Sequence, residues 1–217
     1  MTTDGSIEAA AFVMALRGRG VRDTDTLRAL ERVPRERFAP GPYRDLARRD
    51  LALPLSCGQT MTAPSAVAAM LTALGARPGM RILEIGTGSG YVTTLLLRLG
   101  AAHVHSIERY ALLAEDARAA LLPDDRVRAT LAVGDGLDAG SLPEGRFDRI
   151  LLNGAVAALP PHLAGVLAPG GRLVGALGTR EATHRVAVFR DADGMLEECL
   201  GERLRLGPLT PGRARVL

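Results

Sequence analysis

Three acidic residues define the chemistry this chain can support. Glu84, Glu108 and Asp135 each stand at or beside the end of a short apolar run. Directly after Glu84 comes Gly86-Thr87-Gly88-Ser89-Gly90, a GxGxG turn, and Glu108 follows Glu84 by 24 residues. Glycines at alternate positions let the backbone take conformations that a Cβ forbids, and let it approach a ligand closely at the tip of a parallel strand. The turn is not the dinucleotide fingerprint GxGxxG, because the third glycine of that pattern would fall on Tyr91. A carboxylate at Glu84 repels a pyrophosphate and suits a cationic amino-acid group instead. S-adenosyl-L-methionine carries that group. Glu108, with Arg109 beside it, is at the right distance to accept hydrogen bonds from ribose hydroxyls. Asp135, set between Gly134 and Gly136, is placed to accept from an adenine amino group.

A second set of groups lies upstream, in an irregular stretch over residues 33–64. Ser56, Thr60 and Thr62 are short hydroxyl donors able to orient a carboxylate. Methyl transfer from a sulfonium to a carboxylate needs no general base near pH 7, since an acid of pKa about 4 is already ionised. Alignment does the work. Thr62 has a second reading, as the cap of the helix that follows it. No strong base is visible elsewhere: the chain has no GxSxG elbow and no paired His and Cys context. Of its four histidines, His103 and His105 flank a strand and read as structural, and His162 opens a helix. His184, after the fifth strand, is placed for a substrate or cofactor contact. No His and acid pair has metal-ligand spacing on a recognisable helix, so no metal is expected.

These residues need elements to position them. Residues 7–17 have helical composition, with Ile7, Ala11, Met14 and Ala15 near one face, and a second helix is predicted over 25–32 with Asp23 or Thr24 as its cap. Together they form a helical cap. A helix over 65–73, capped by Ser65 or Thr62, leads into a strand over 81–85 and a helix from 91. Strands over 103–108, 127–133, 147–152 and 172–177 then alternate with helices over 110–121 and 160–167. A hairpin follows, with one strand over 186–189 and another within 198–206. Alternation of this kind implies an α/β fold with a doubly wound, mostly parallel sheet and an antiparallel element at its C-terminal edge. The division expected is 1–64 as cap and substrate loop, and 65–217 as the cofactor-binding catalytic unit.

Composition narrows the partners. The chain has 217 residues, 47% hydrophobic, and all 27 basic residues are arginine. With the abundance of Ala, Gly and Leu, this reads as a GC-rich bacterial coding bias and not as phosphate recognition. Aromatic residues make up only 3% with no Trp, which argues against a stacking platform for single-stranded nucleic acid. Residues 152–155 also lack the NPPY-like pattern of base methylation. No apolar run reaches the roughly 18–20 residues of a membrane span. The N-terminus lacks a basic signal-peptide start. A cytoplasmic monomer with Cys57 and Cys199 reduced is expected.

The stretches VPRERF, YRDLA, LPLSCGQTMTAP, LEIGTGSGY, VGDG, FDRILL and LAPGGRLV occur in this order within residues 33–188. Together they resemble the protein-L-isoaspartate (D-aspartate) O-methyltransferase family, and the GQTMTAP loop is the most diagnostic. The resemblance implies a Rossmann-like class I methyltransferase that transfers a methyl group from S-adenosyl-L-methionine, leaving S-adenosyl-L-homocysteine. The acceptor is the α-carboxylate of L-isoaspartyl residues in proteins or peptides, and the ester then closes to a succinimide. By position, the catalytic hydroxyl falls on Thr62, with Thr60 and Met61 beside the methionine part of the cofactor. Glu84, Gly86, Thr87, Gly88 and Ser89 fall on the first cofactor motif, Glu108 and Arg109 on the ribose side, and Asp135 with Gly136 on the adenine side. Two departures border the substrate: Asn153-Gly154-Ala155-Val156-Ala157 replaces a run such as TAAAP, and Thr183-His184-Arg185 stands where a Gln is usual. They leave an alternative open, a dedicated methyltransferase for a biosynthetic peptide aspartate or small carboxylic acid.

Overall fold

The computed structural model describes residues 3–178, 184–192 and 195–214. Helices α1 (Thr3–Gly18) and α2 (Thr24–Arg32) open the chain. Asp23 starts α2 by accepting from the Thr26 amide at 2.8 Å, satisfying one of the free N–H groups of the first turn. Two 3₁₀ segments, Arg35–Arg37 and Gly41–Leu46, lead to the short antiparallel pair β1 (Leu53–Pro54) and β2 (Thr60–Met61). After α3 (Pro64–Leu74) the alternating unit runs β3 (Arg81–Ile85), α4 (Tyr91–Arg98), β4 (His103–Glu108), α5 (Ala111–Ala120), α6 (Pro123–Arg128), β5 (Ala129–Val133), β6 (Phe147–Val156) and β7 (Leu167–Leu177). The hairpin β8 (His184–Ala192) and β9 (Met195–Leu204) completes it.

The large sheet has the order β5-β4-β3-β6-β7-β8-β9, with its first five strands parallel and the last two antiparallel. From β3 the chain winds outward through β4 to β5, then returns to the other side of β3 with β6. This reversal creates a switch point at the carboxyl ends of β3 and β6, where open α/β sheets bind ligands. Both faces are apolar and alternate residue by residue, as a parallel sheet covered on both sides demands. Ile82, Leu151 and Val174 join one cluster with α3, α4 and the cap; Leu83, Ile85, Ile150, Leu152 and Leu173 form the other. No helix among the described residues is long and apolar enough to cross a membrane.

Several sequence expectations are corrected. Helix α1 faces the core with Ala9, Phe12 and Leu16, while Ile7 and Met14 are 65% and 66% exposed, so the face marked by Ile7, Ala11, Met14 and Ala15 is the outer one. A helix that is apolar all round gives no phase to read. Residues 127 and 128 belong to α6 and not to the third large strand. Pro123 starts that helix, and the fully buried Asp125 is held by the two terminal guanidinium nitrogens of Arg98 at 2.6 and 2.9 Å. The segment expected as a helix over 160–167 is a 3₁₀ turn, Pro161–Val166. Strand β6 runs on to Val156 because Ala155 also bonds the C-terminal segment: its amide donates to Gly207 O and its carbonyl accepts from the Leu209 amide, each at 2.8 Å.

Candidate active site

Gly86, Gly88 and Gly90 all have positive φ (94°, 55° and 81°), and Gly90 is the N-cap of α4. A side chain is strained at each. At Gly86 a Cβ would also lie 2.9 Å from Leu209 Cδ2, so the turn is glycine for both conformation and space. The turn is tied to the next strand end. Glu108 Oε2 accepts from the Gly88 amide at 2.9 Å and Oε1 from the Tyr110 amide at 3.1 Å, while the Gly86 amide donates to Ile107 O at 2.8 Å. One strand over, Asp135 Oδ1 accepts from the Leu137 amide at 2.9 Å.

These strand ends enclose a crevice. Its apolar walls include Ile85, Ile107, Leu113 and Leu137, and its polar rim includes Glu108, Arg109, Asp135 and Asn153, with Gly86, Gly88 and Gly136 on the floor. At Gly136 a Cβ would sit 2.6 Å from Ile85 Cγ2, so the sheet itself requires a glycine there. The C-terminal segment supplies a further wall through Gly207, Pro208, Leu209 and Thr210. It is strapped across the strand ends: the Gly212 amide donates to Asp135 Oδ2 at 2.6 Å and the Ala214 amide to Arg109 O at 3.2 Å. Gln59 and Tyr110 close the remaining side, with Gln59 Nε2 3.4 Å from the Tyr110 hydroxyl.

Not every expected residue meets this crevice. Glu84 is 0% exposed and lies behind the turn, where Thr93 and Ser106 donate to its Oε2 and Asn153 Nδ2 lies 3.4 Å from its Oε1. Burial pushes its pKa from the ordinary 4.5 up to about 7, against the pull of the Thr93 and Ser106 hydrogen bonds. It braces the turn from behind. Thr87 is also turned inward, its hydroxyl 2.6 Å from that of Ser106. Met61 is buried in the core cluster, and Ser89 lines a neighbouring groove with Ser56 and Arg37. Asn153, expected at the substrate, stands in the crevice wall and donates to Gly86 O at 2.9 Å. His184 begins β8, and its side chain lies outside the described residues.

The loop that carries the hydroxyls reaches the same place. Gln59 lies in the crevice wall, and Thr60 Oγ1 is 3.4 Å from the point where a Cβ on Gly207 would stand. Thr62 does not cap α3, and neither does Ser65. The N-cap position is Ala63, without a side-chain hydrogen bond, and Asp50 takes the role from a distance by accepting from the Ser65 amide at 2.8 Å. Among the described residues the Thr62 hydroxyl has no hydrogen-bond partner.

Sequence reasoning missed Gln59, Tyr110 and the C-terminal strap. Gln59 sits inside the GQTMTAP loop and Tyr110 just after Glu108-Arg109, so proximity to residues already singled out was an available signal. The strap, Pro- and Gly-rich with no periodicity, offered none.

An open sheet with a glycine turn on its first parallel strand, acids on the next two, and a crevice at the switch point define a Rossmann-like class I methyltransferase. The family described as Protein-L-isoaspartate(D-aspartate) O-methyltransferase (PCMT) matches residues 8–213, and the chain belongs to that family. It is 43% identical over 213 residues to Protein-L-isoaspartate O-methyltransferase 2 of Rhodopseudomonas palustris (strain HaA2), covering 97% of this chain and 96% of the relative. With the Protein-L-isoaspartate O-methyltransferase of Parvibaculum lavamentivorans it shares 39% over 215 residues, 98% of this chain and 96% of that one. A Plasmodium falciparum structure, described as a protein-L-isoaspartate O-methyltransferase in complex with S-adenosyl-L-homocysteine, has the same fold. Its TM-score is 0.80 at 20% identity, over 92% of this chain and 97% of that chain.

Proposed function

We propose that this chain is an S-adenosyl-L-methionine-dependent methyltransferase that esterifies the α-carboxylate of L-isoaspartyl residues in proteins and peptides. The observation that carries this reading is the family relationship over residues 8–213, a span that takes in both the strand-end crevice and the hydroxyl loop. The crevice fits the cofactor on its own chemistry. Apolar walls suit a purine, two carboxylates suit hydroxyl and amino donors, and acids with no phosphate cradle suit a cationic nucleoside.

The roles divide by element. Glu108 accepts from the ribose hydroxyls through lone pairs left over from its two backbone contacts, and Asp135 accepts from the adenine amino group. Arg109 and the glycine turn line the same ligand. Glu84, Thr87 and Asn153 hold the turn in shape, while Thr60 and Gln59 border the methionine end. Ser56 and Ser89, which share a groove beside the crevice, lie toward the peptide, and residues 1–64 supply the cap and loop over the catalytic unit 65–217. When bound, S-adenosyl-L-methionine supplies an electrophilic methyl carbon on a sulfonium. Thr62 donates to one oxygen of the substrate carboxylate, leaving the other aimed at that carbon. The free oxygen would take the methyl group as the C–S bond breaks, its electron pair returning to sulfur. No proton moves, so no base is needed.

The protein works as a cytoplasmic monomer, without nucleic acid or membrane partners. A dedicated biosynthetic substrate finds no observation in its favour. The reading is tested by transfer of labelled methyl from the cofactor to an isoaspartyl peptide. Base-labile label identifies an ester and supports the reading; base-stable label, or none with cofactor bound, sinks it.

A further inference from the structure

The loop over residues 47–63 contains β1 and β2, two residues each, and one 3₁₀ turn, Ser56–Gly58, so most of its carbonyl groups must find partners outside any ladder. One side chain reaches five of them. Arg35 is 1% exposed, and its guanidinium points into the loop from the first 3₁₀ turn. Nη1 donates to Ala47 O at 2.8 Å, with Arg49 O at 3.5 Å. Nη2 donates to Leu51 O at 3.0 Å and to Thr62 O at 3.1 Å, with Met61 O at 3.4 Å. Ala47 and Leu51 lie on the incoming limb of the loop, Met61 and Thr62 on the outgoing limb. A single planar fork therefore joins both limbs at the backbone of Thr62.

A buried cation is ordinarily paired with a carboxylate, because isolated burial is costly. Among the described residues none lies within ion-pair distance of Arg35. Asp50, whose charge favours the Arg35 cation, uses its own oxygens on the Ser65 amide and on Arg19. The acceptors of Arg35 are all main-chain carbonyls, so its action is to set backbone position. We propose that Arg35 is a positioning residue for methyl transfer, acting through the main chain of Met61 and Thr62 to fix where the Thr62 hydroxyl stands. The proposal rests on the role assigned to Thr62 above. Lysine cannot replace Arg35 fully, since an ammonium lacks the flat two-ended fork that reaches both limbs at once.

The test is a double-mutant cycle of Arg35→Met and Thr62→Ala, reading kcat with an isoaspartyl peptide and the cofactor dissociation constant by calorimetry. A misplacement of about 1 Å can cost on the order of 10²-fold, so Arg35→Met should lower kcat by that order and leave cofactor affinity within about threefold. In the Thr62→Ala background the same substitution should change kcat by less than about threefold, because the group it positions is gone. Arg35→Lys should recover part of the rate. Should Arg35→Met fail to accumulate as folded protein, Arg35→Lys carries the same cycle, with a smaller loss that again vanishes beside Thr62→Ala. Losses that multiply, with Thr62→Ala itself impaired, would overturn the role of Arg35 and leave Thr62 standing. Full activity in Thr62→Ala alone would overturn the Thr62 assignment, and this proposal with it.

Discussion

The strand ends that carry Glu108 and Asp135 are set by parallel pairing of β3, β4 and β5, residue against residue, and by glycines whose positive φ leaves the turn few alternatives. The loop that carries Thr62 has almost no ladder of its own. It is held by Arg35 on its carbonyls, 27 residues before Thr62, and by Asp50, on the loop's own incoming limb, at the head of α3. A cofactor platform can be rigid and local, since it always binds the same ligand. The part that must accept a peptide is instead suspended from side chains, and its geometry depends on contacts far along the chain.

This contrast can be broken at several points. The largest effect is expected from Thr62→Ala, a loss of turnover on the order of 10²-fold. Calorimetry should find cofactor affinity within about threefold of the parent, and unchanged turnover would remove Thr62 from the chemistry. On the other side, Glu108→Ala removes a charged acceptor worth about 1.5–3 kcal/mol and should weaken cofactor binding by roughly 10- to 100-fold. An unaltered dissociation constant would refute the ribose role.

Glu84 sharpens the platform half through pH. Its folded pKa of about 7 lies above the ordinary 4.5, so between these values the native state holds the proton that the unfolded chain has released. The contribution of Glu84 is thus fully present below pH 4.5, declines as pH rises toward 7, and is lost above. The difference amounts to about 3 kcal/mol. Urea unfolding of the cofactor-free protein at pH 4.5, 6 and 8 should show this decline relative to Glu84→Gln, in which it is absent. Parallel pH profiles for the two proteins would place the Glu84 carboxyl in contact with water. The smallest effect concerns the cap. Asp50→Ala should cost about 1 kcal/mol of stability, whereas Thr62→Ala should cost less than about 0.5 kcal/mol. The reverse order in urea midpoints would return the cap to Thr62.

The same contrast explains what the sequence revealed. Alternating strands and helices, the GxGxG turn and the acids at the strand ends are local patterns, and they led to a mostly parallel sheet with an antiparallel C-terminal edge and to a binding site at its strand ends. What stayed hidden depends on distance. Nothing near Thr62 announces that Asp50 caps α3, or that Arg35 gathers the loop carbonyls. The residues after β9 carry no periodicity, yet their backbone pairs with Ala155 and closes the crevice. An acid before a glycine turn suggests a ligand contact at Glu84, whereas the hydroxyls that meet its carboxyl, from Thr93 and Ser106, come from neighbouring elements, and it is 0% exposed.

The central claim is selectivity for an isoaspartyl carboxylate held by the Thr62 loop over an S-adenosyl-L-methionine platform. It is tested most directly by initial rates with two peptides of one sequence, one containing L-isoaspartate and the other L-aspartate. Rapid methylation of the isoaspartyl peptide with little on its partner is the predicted result, repeated across unrelated flanking sequences. Equal rates on both, or ester on neither while the cofactor binds, would contradict it.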